Sequence, residues 1–162
     1  MTRRSVILVG GAAALAIGWY LFRPERLFIN QTVSEEFPVA TAAMSTAATE
    51  PEAIATGMFH SNAHETQGTA SIYRLPDGRL TLRLTDFHTS NGPEVQVYLV
   101  AADDVNDNET VKTAGFVTLG ALKGNIGDQN YDVPADIDLT KYRSVTIWCR
   151  RFSVNFGTAP LT

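Results

Sequence analysis

The chain has 162 residues, a formal net charge of −4, 44% hydrophobic and 19% charged side chains, a globular composition rather than a disordered one. Arg3, Arg4, Arg23 and Arg26 against Glu25 stand before residue 27, which leaves nine basic and sixteen acidic residues in the remainder, a net of −7. An acidic body without a basic patch argues against nucleic acid as a partner, and the single cysteine excludes an internal disulfide.

Residues 5–22 (SVILVGGAAALAIGWYLF) form an uncharged apolar run. About 18 residues at ~1.5 Å each reach roughly 27 Å, enough to cross the hydrocarbon core of a bilayer. Trp19 and Tyr20 lie at its end, where amphipathic rings favour the interface. The small-x-small site Ala14-Leu15-Ala16 sits inside the run, so an uncleaved signal-anchor is the better reading than a cleaved signal peptide. Residues 1–26 are therefore expected to hold one transmembrane helix, with the membrane as a partner through residues 5–22. The short N-terminal head places the rest of a single-pass protein on the extracytoplasmic side.

Residues 27–56 read as a juxtamembrane segment and flexible stalk, rich in Ala, Thr, Ser, Glu and Pro and poor in large apolar side chains. Residues 57–162 read as the folded domain. Residues 69–75 and 79–85 flank Pro76-Asp77-Gly78, a hairpin signal, and Leu80, Leu82 and Leu84 alternate with Thr81, Arg83 and Thr85. Residues 94–101 form the next strand. An acidic loop over 103–109 leads to another strand near 114–119. A glycine-rich shaped loop over 120–134 carries a short strand near 130–133, and residues 138–142 suit one helical turn. About 7–9 short strands at this spacing predict an all-β fold, an antiparallel β-sandwich or open barrel.

The stretch 144–156 (SVTIWCRRFSVNF) holds the lone cysteine. Val145, Ile147 and Cys149 share one parity that continues into Arg151, Ser153 and Asn155. The other parity turns apolar at Phe152, Val154 and Phe156. Because strand side chains alternate faces, a bulge or break near residues 149–151 is expected. Cys149 itself reads in three ways. It is a small buried hydrophobe, a redox thiol whose thiolate the neighbouring Arg150 and Arg151 would favour, or a thiolate ligand to haem iron.

His60, His64 and His88 show no metal-ligand spacing, so no metal site is expected. Met58 reads as a core residue with axial ligation as its rival. The segment 104–108 mimics the start of a calcium loop but lacks the glycine and final glutamate, so it reads as a solvated acidic turn. No nucleophile elbow, Ser-His-Asp set or paired carboxylates stand out, which leaves a stand-alone enzyme without a catalytic constellation.

The pieces after residue 57 resemble the DM-thirteen domain. The resemblance rests on Gly57-Met58-Phe59, His64, Gly68-Thr69-Ala70, Leu82-Arg83-Leu84, Asp86-Phe87, Thr89-Ser90-Asn91-Gly92-Pro93 and Val97-Tyr98-Leu99. It is densest over Leu119-Gly120-Ala121-Leu122-Lys123-Gly124-Asn125 and Gly127-Asp128-Gln129-Asn130-Tyr131. It closes with Ile147-Trp148-Cys149 and Phe152-Ser153-Val154. The resemblance implies a β-rich extracytoplasmic domain working in electron transfer through Cys149, as a free thiol or as a ligand to a prosthetic group such as haem. His64 is then the candidate partner of that group and Trp148 its neighbour. The expected partner is a redox protein or a cell-surface molecule. The alternative is a non-catalytic surface binding module in which Cys149 is a core residue.

Overall fold

The computed structural model describes residues 10–13, 17–20, 29–38 and 50–162. Residues 10–13 and 17–20 are helical and exposed. The rest of the expected transmembrane run lies outside the described residues, among which no helix is long and apolar enough to cross a membrane.

Nine strands and one short helix make up the described domain: β1 Glu52–Met58, β2 His60–Ser61, β3 Gln67–Arg74, β4 Leu80–His88, β5 Val95–Val100, α1 Asn108–Ala114, β6 Phe116–Ala121, β7 Gln129–Val133, β8 Ser144–Cys149 and β9 Val154–Pro160. They form two antiparallel sheets, β1-β3-β4-β7 and β2-β9-β8-β5-β6, so the fold is an open sandwich and not a barrel. Alternation explains the layers. Leu82 and Leu84 of β4 and Ile72 of β3 meet Val97, Leu99, Val145 and Ile147 of the opposite sheet in one fully buried core. Removing each of these aliphatic side chains from water contributes roughly 1.5–3 kcal/mol.

The central strands of the five-stranded sheet are buried on both faces. Tyr98, Val100 and Trp148 point away from the main core and pack with Val105 and Val111 under α1. That helix replaces the end of the expected acidic loop. Asp107 caps it by accepting from Thr110 N at 2.7 Å, and Val111 is its one buried residue. A single apolar side chain leaves no 3.6-residue pattern to read.

Two further differences concern the stalk. Strand β1 begins at Glu52, inside the segment read as a spacer, and pairs with β3 from Glu52↔Arg74 onward. It is an edge strand of mostly small side chains, which is why it looked unable to fold. Met58 at its end is 77% exposed, not a core residue. Residues 29–38, also read as spacer, run along the domain, where Thr32 makes a parallel bridge to Ile126.

Candidate functional site

Cys149 is the last residue of β8, between Val95 of β5 and Val154 of β9 in register. Its side chain shares the core face with Val145 and Ile147 and is fully buried. The chain then turns through residues 150–153, with Arg150 N donating to Glu94 O at 3.0 Å and Ser153 at φ +53. The expected irregularity is thus a hairpin break. A bulge accompanies it: Ile147 pairs with Gly157 but Trp148 with Asn155, which leaves Phe156 as the extra residue of β9.

The two arginines face solvent. Arg150 Nε lies 3.4 Å and Arg151 Nε 3.5 Å from the two oxygens of Glu94. Both guanidinium groups are therefore engaged with a carboxylate on the exterior, while the thiol points into the core. Sequence proximity did not translate into a cationic surrounding for the sulfur.

His64 sits at the same end of the sandwich. Its half-buried ring lies against that of Phe156 at a tilt of 37° with centroids 3.8 Å apart, and its backbone N–H donates to Phe156 O at 3.2 Å. Phe156 and Val95 in turn close on Gly92, where a side chain would meet both. His64, Phe156 and Val95 thus gather at one end of the sandwich, and Val95 is the ladder partner of Cys149. Trp148 is elsewhere: adjacent residues of a strand face opposite ways, and its indole lies in the second cluster, 6.5 Å from Tyr98. Tyr98 stacks on the exposed Phe116 at 4.2 Å. Burial pushes the Tyr98 hydroxyl upward against the opposing charge of Arg150.

The packing does not fit a haem. Around the thiol, Val95, Val97, Ile147 and Phe156 fill the core face of the five-stranded sheet, with none more than 8% exposed. A cleft of about 360 Å³ lined by Ser61, Asn62, Ala63, Asn106, Asp107, Asn108 and Asn155 does not include Cys149 in its lining. His60 and Asp104 form a separate pair at 2.7 Å across the acidic turn. Among the described residues no three His, Cys, Asp or Glu side chains gather in a metal-binding group. Residues that sequence reasoning passed over as site members are Phe156, Gly92 and Glu94. Only Gly92, within a turn signal, gave any hint.

Residues 58–161 match the family described as Electron transfer DM13. The chain belongs to the DM13 family. The DM13 match covers the two sheets almost entirely and stops short of the segment 29–38 and most of β1. Membership connects the domain with electron transfer in general. No curated protein and no solved structure matches the chain.

Proposed function

We propose that this DM13 protein is a membrane-anchored, extracytoplasmic electron-transfer domain whose reactive group is the Cys149 thiol. What carries the reading is the position of that thiol: the lone cysteine of a DM13 domain, buried at the last residue of β8, whose ladder partner Val95 and the ring of Phe156 beneath His64 both close on Gly92. In this reading the anchor is the apolar run 5–22, which is long enough to cross the hydrocarbon core of a bilayer.

The chemistry open to a lone cysteine is narrow. No second thiol exists in the chain to close a disulfide. A two-electron step at Cys149 therefore needs an external disulfide: the thiolate attacks one sulfur, a mixed disulfide forms, and the other sulfur leaves as thiolate. A second external thiol then resolves the adduct, returning Cys149 to the reduced state while the partner sulfurs re-pair. Burial makes this step conditional on opening of the β8–β9 hairpin end, which protects the thiol from indiscriminate oxidants.

The test is the reaction of the folded chain with a small aromatic disulfide across a range of urea concentrations. A rate that stays finite and nearly independent of urea well below the unfolding transition supports a functional local opening. A rate that tracks global unfolding at every concentration refutes it. That second outcome favours the other reading, a surface binding module with Cys149 as packing, which the complete burial of the side chain supports.

A further inference from the structure

The DM13 body carries a groove that holds an extended peptide by specific contacts, and the chain fills it with its own residues 30–37. The backbone contacts are those of a parallel strand pair. Ile126 N donates to Gln31 O at 3.3 Å, Val33 N to Ile126 O at 2.9 Å and Glu35 N to Asp128 O at 3.0 Å. Two glycines make the approach possible. A Cβ on Gly124 would run into the carbonyl of Gln31, and one on Gly127 into that of Val33.

Side chains supply selectivity along the whole length. At the start, the buried Asn125 accepts from Gln31 N at 2.7 Å and donates to Asn30 Oδ1 at 3.0 Å. In the middle, Lys123 Nζ reaches both oxygens of Glu35, at 2.7 and 2.9 Å, and Asn130 N donates to Glu35 Oε2 at 2.7 Å. Partial burial opposes the charged form of Glu35, yet those bonds from Lys123 and Asn130 outweigh it and hold the carboxyl below its ordinary value. At the end, Arg83 is fixed by Asp128 at 2.6 Å and by Asn130 at 2.9 Å. It donates to Glu35 O at 3.2 Å and lies over the Phe37 ring. Phe37 also meets Tyr73 edge-on at 4.8 Å.

Every groove residue named here lies inside the family match, whereas the occupant lies outside it. The glycines, Asn125, Lys123 and Asn130 belong to the densest run of family motifs, so that run builds a receptor. We infer that the loop over residues 123–130 together with Arg83 is a peptide-recognition site. Its ligand class is an extended acidic segment with a glutamate at the Lys123 position and an aromatic two residues on, and its resident ligand is residues 30–37 of the same chain. Backbone pairing at an isolated parallel bridge, combined with side-chain contacts on either side of it, is the same principle as the strand addition by which many peptide sites are built. It does not depend on the chemistry of Cys149.

Two measurements on the full chain test it. In hydrogen exchange, the amides of Val33 and Glu35 should be protected in the wild type. In Glu35→Ala and in Lys123→Ala they should exchange on the order of tenfold faster or more, since a charge-assisted contact is lost, while Leu82 and Leu84 stay unchanged. In the second measurement, a labelled peptide of residues 29–38 is titrated by fluorescence anisotropy. The double variant E35A/F37A, whose own segment no longer competes, should capture the peptide, the wild type should not, and a peptide carrying Glu35→Gln should bind at least about tenfold more weakly. Unchanged protection in both exchange variants, or equal capture of a scrambled peptide, overturns the inference.

Discussion

Replacing Cys149 with serine isolates the environment of the thiol in one atom. The side chain is fully buried, with Val95 and Val154 across the ladder and Val145 and Ile147 on the same face. The side chains packed around it belong to the apolar core, so a hydroxyl there meets no polar side chain. Burying an unpaired hydroxyl costs about 1–3 kcal/mol, a large fraction of a typical stability of roughly 5–15 kcal/mol. The expected result in urea denaturation is a lower midpoint at constant slope, corresponding to that loss and to a melting temperature lower by roughly 3–15 °C. The same strand supplies an internal control of opposite sign. Ser144 is fully buried with a hydroxyl that has no hydrogen-bond partner, so Ser144→Ala should be neutral or should gain about 1 kcal/mol. A Cys149→Ser loss below about 0.5 kcal/mol would refute the dry-core placement, because only a hydrated position tolerates that exchange.

Other outcomes follow from the same contacts. Asp128→Ala should cost about 2–4 kcal/mol in urea denaturation, because it strips the largely buried Arg83 of its 2.6 Å partner and Asp86 N of its acceptor. Asp86 itself holds φ +50, so Asp86→Gly should stabilise by about 0.5–1 kcal/mol on the same assay, provided the bond to Asp128 survives. Glu35 is depressed below 4.5, so its contribution to holding residues 30–37 is complete above that pH and is lost as pH falls through the lower folded value. Amide protection of Val33 should therefore be flat from pH 7 to 5 and decline only below pH 4.5. Finally, Glu35→Ala should raise the reaction rate of Cys149 with a small disulfide in the folded state, whereas Lys112→Ala on α1 should leave it unchanged.

What could be read in advance follows from where each element buries its side chains. Strands β4, β5 and β8 alternate or run apolar because they form the centre of a two-layer core, and turn residues mark their ends. Strand β1 brings Ile54 as its one large aliphatic side chain to the core edge among Ala, Thr and Gly, and α1 offers Val111 alone, so neither carried a periodic signal. The segment 29–38 was invisible for a different reason. It is held through backbone groups, Asn30, Glu35 and Phe37, and a polar, non-periodic stretch of that kind has the composition of a spacer. At the site, parity placed Cys149 correctly with Val145 and Ile147. The environment of Arg150 and Arg151 depended on Glu94, which only the β5–β8 pairing brings alongside, and the opposite facing of Trp148 follows from the same alternation that buried the thiol.

The geometry links the core end that holds Cys149 with the segment 30–37. Strand β8 is closed on one face by the four-stranded sheet, on the other by α1, and at its sides by β5 and β9. The thiol lies at the hairpin end of β8, beside the turn over 150–153 and the loop that carries Glu94. The Glu94 ion pairs across that rim are exposed and worth little, about 0–1 kcal/mol. The resistance to opening comes instead from Phe156, held between His64 and Gly92, and from the loop that carries Gly92. That loop is tied at Asn91, whose Nδ2 donates to Asn30 Oδ1 at 3.2 Å, the first side chain of the peptide in the groove. Asn125 joins the same point from below, accepting from Gln31 N, donating to Asn30 and to Thr89 O at 3.0 Å. A docked N-terminal segment therefore steadies the loop above the core end that holds Cys149, and its release loosens that loop as it frees Arg83 of β4 and Asn130 of β7 from Glu35.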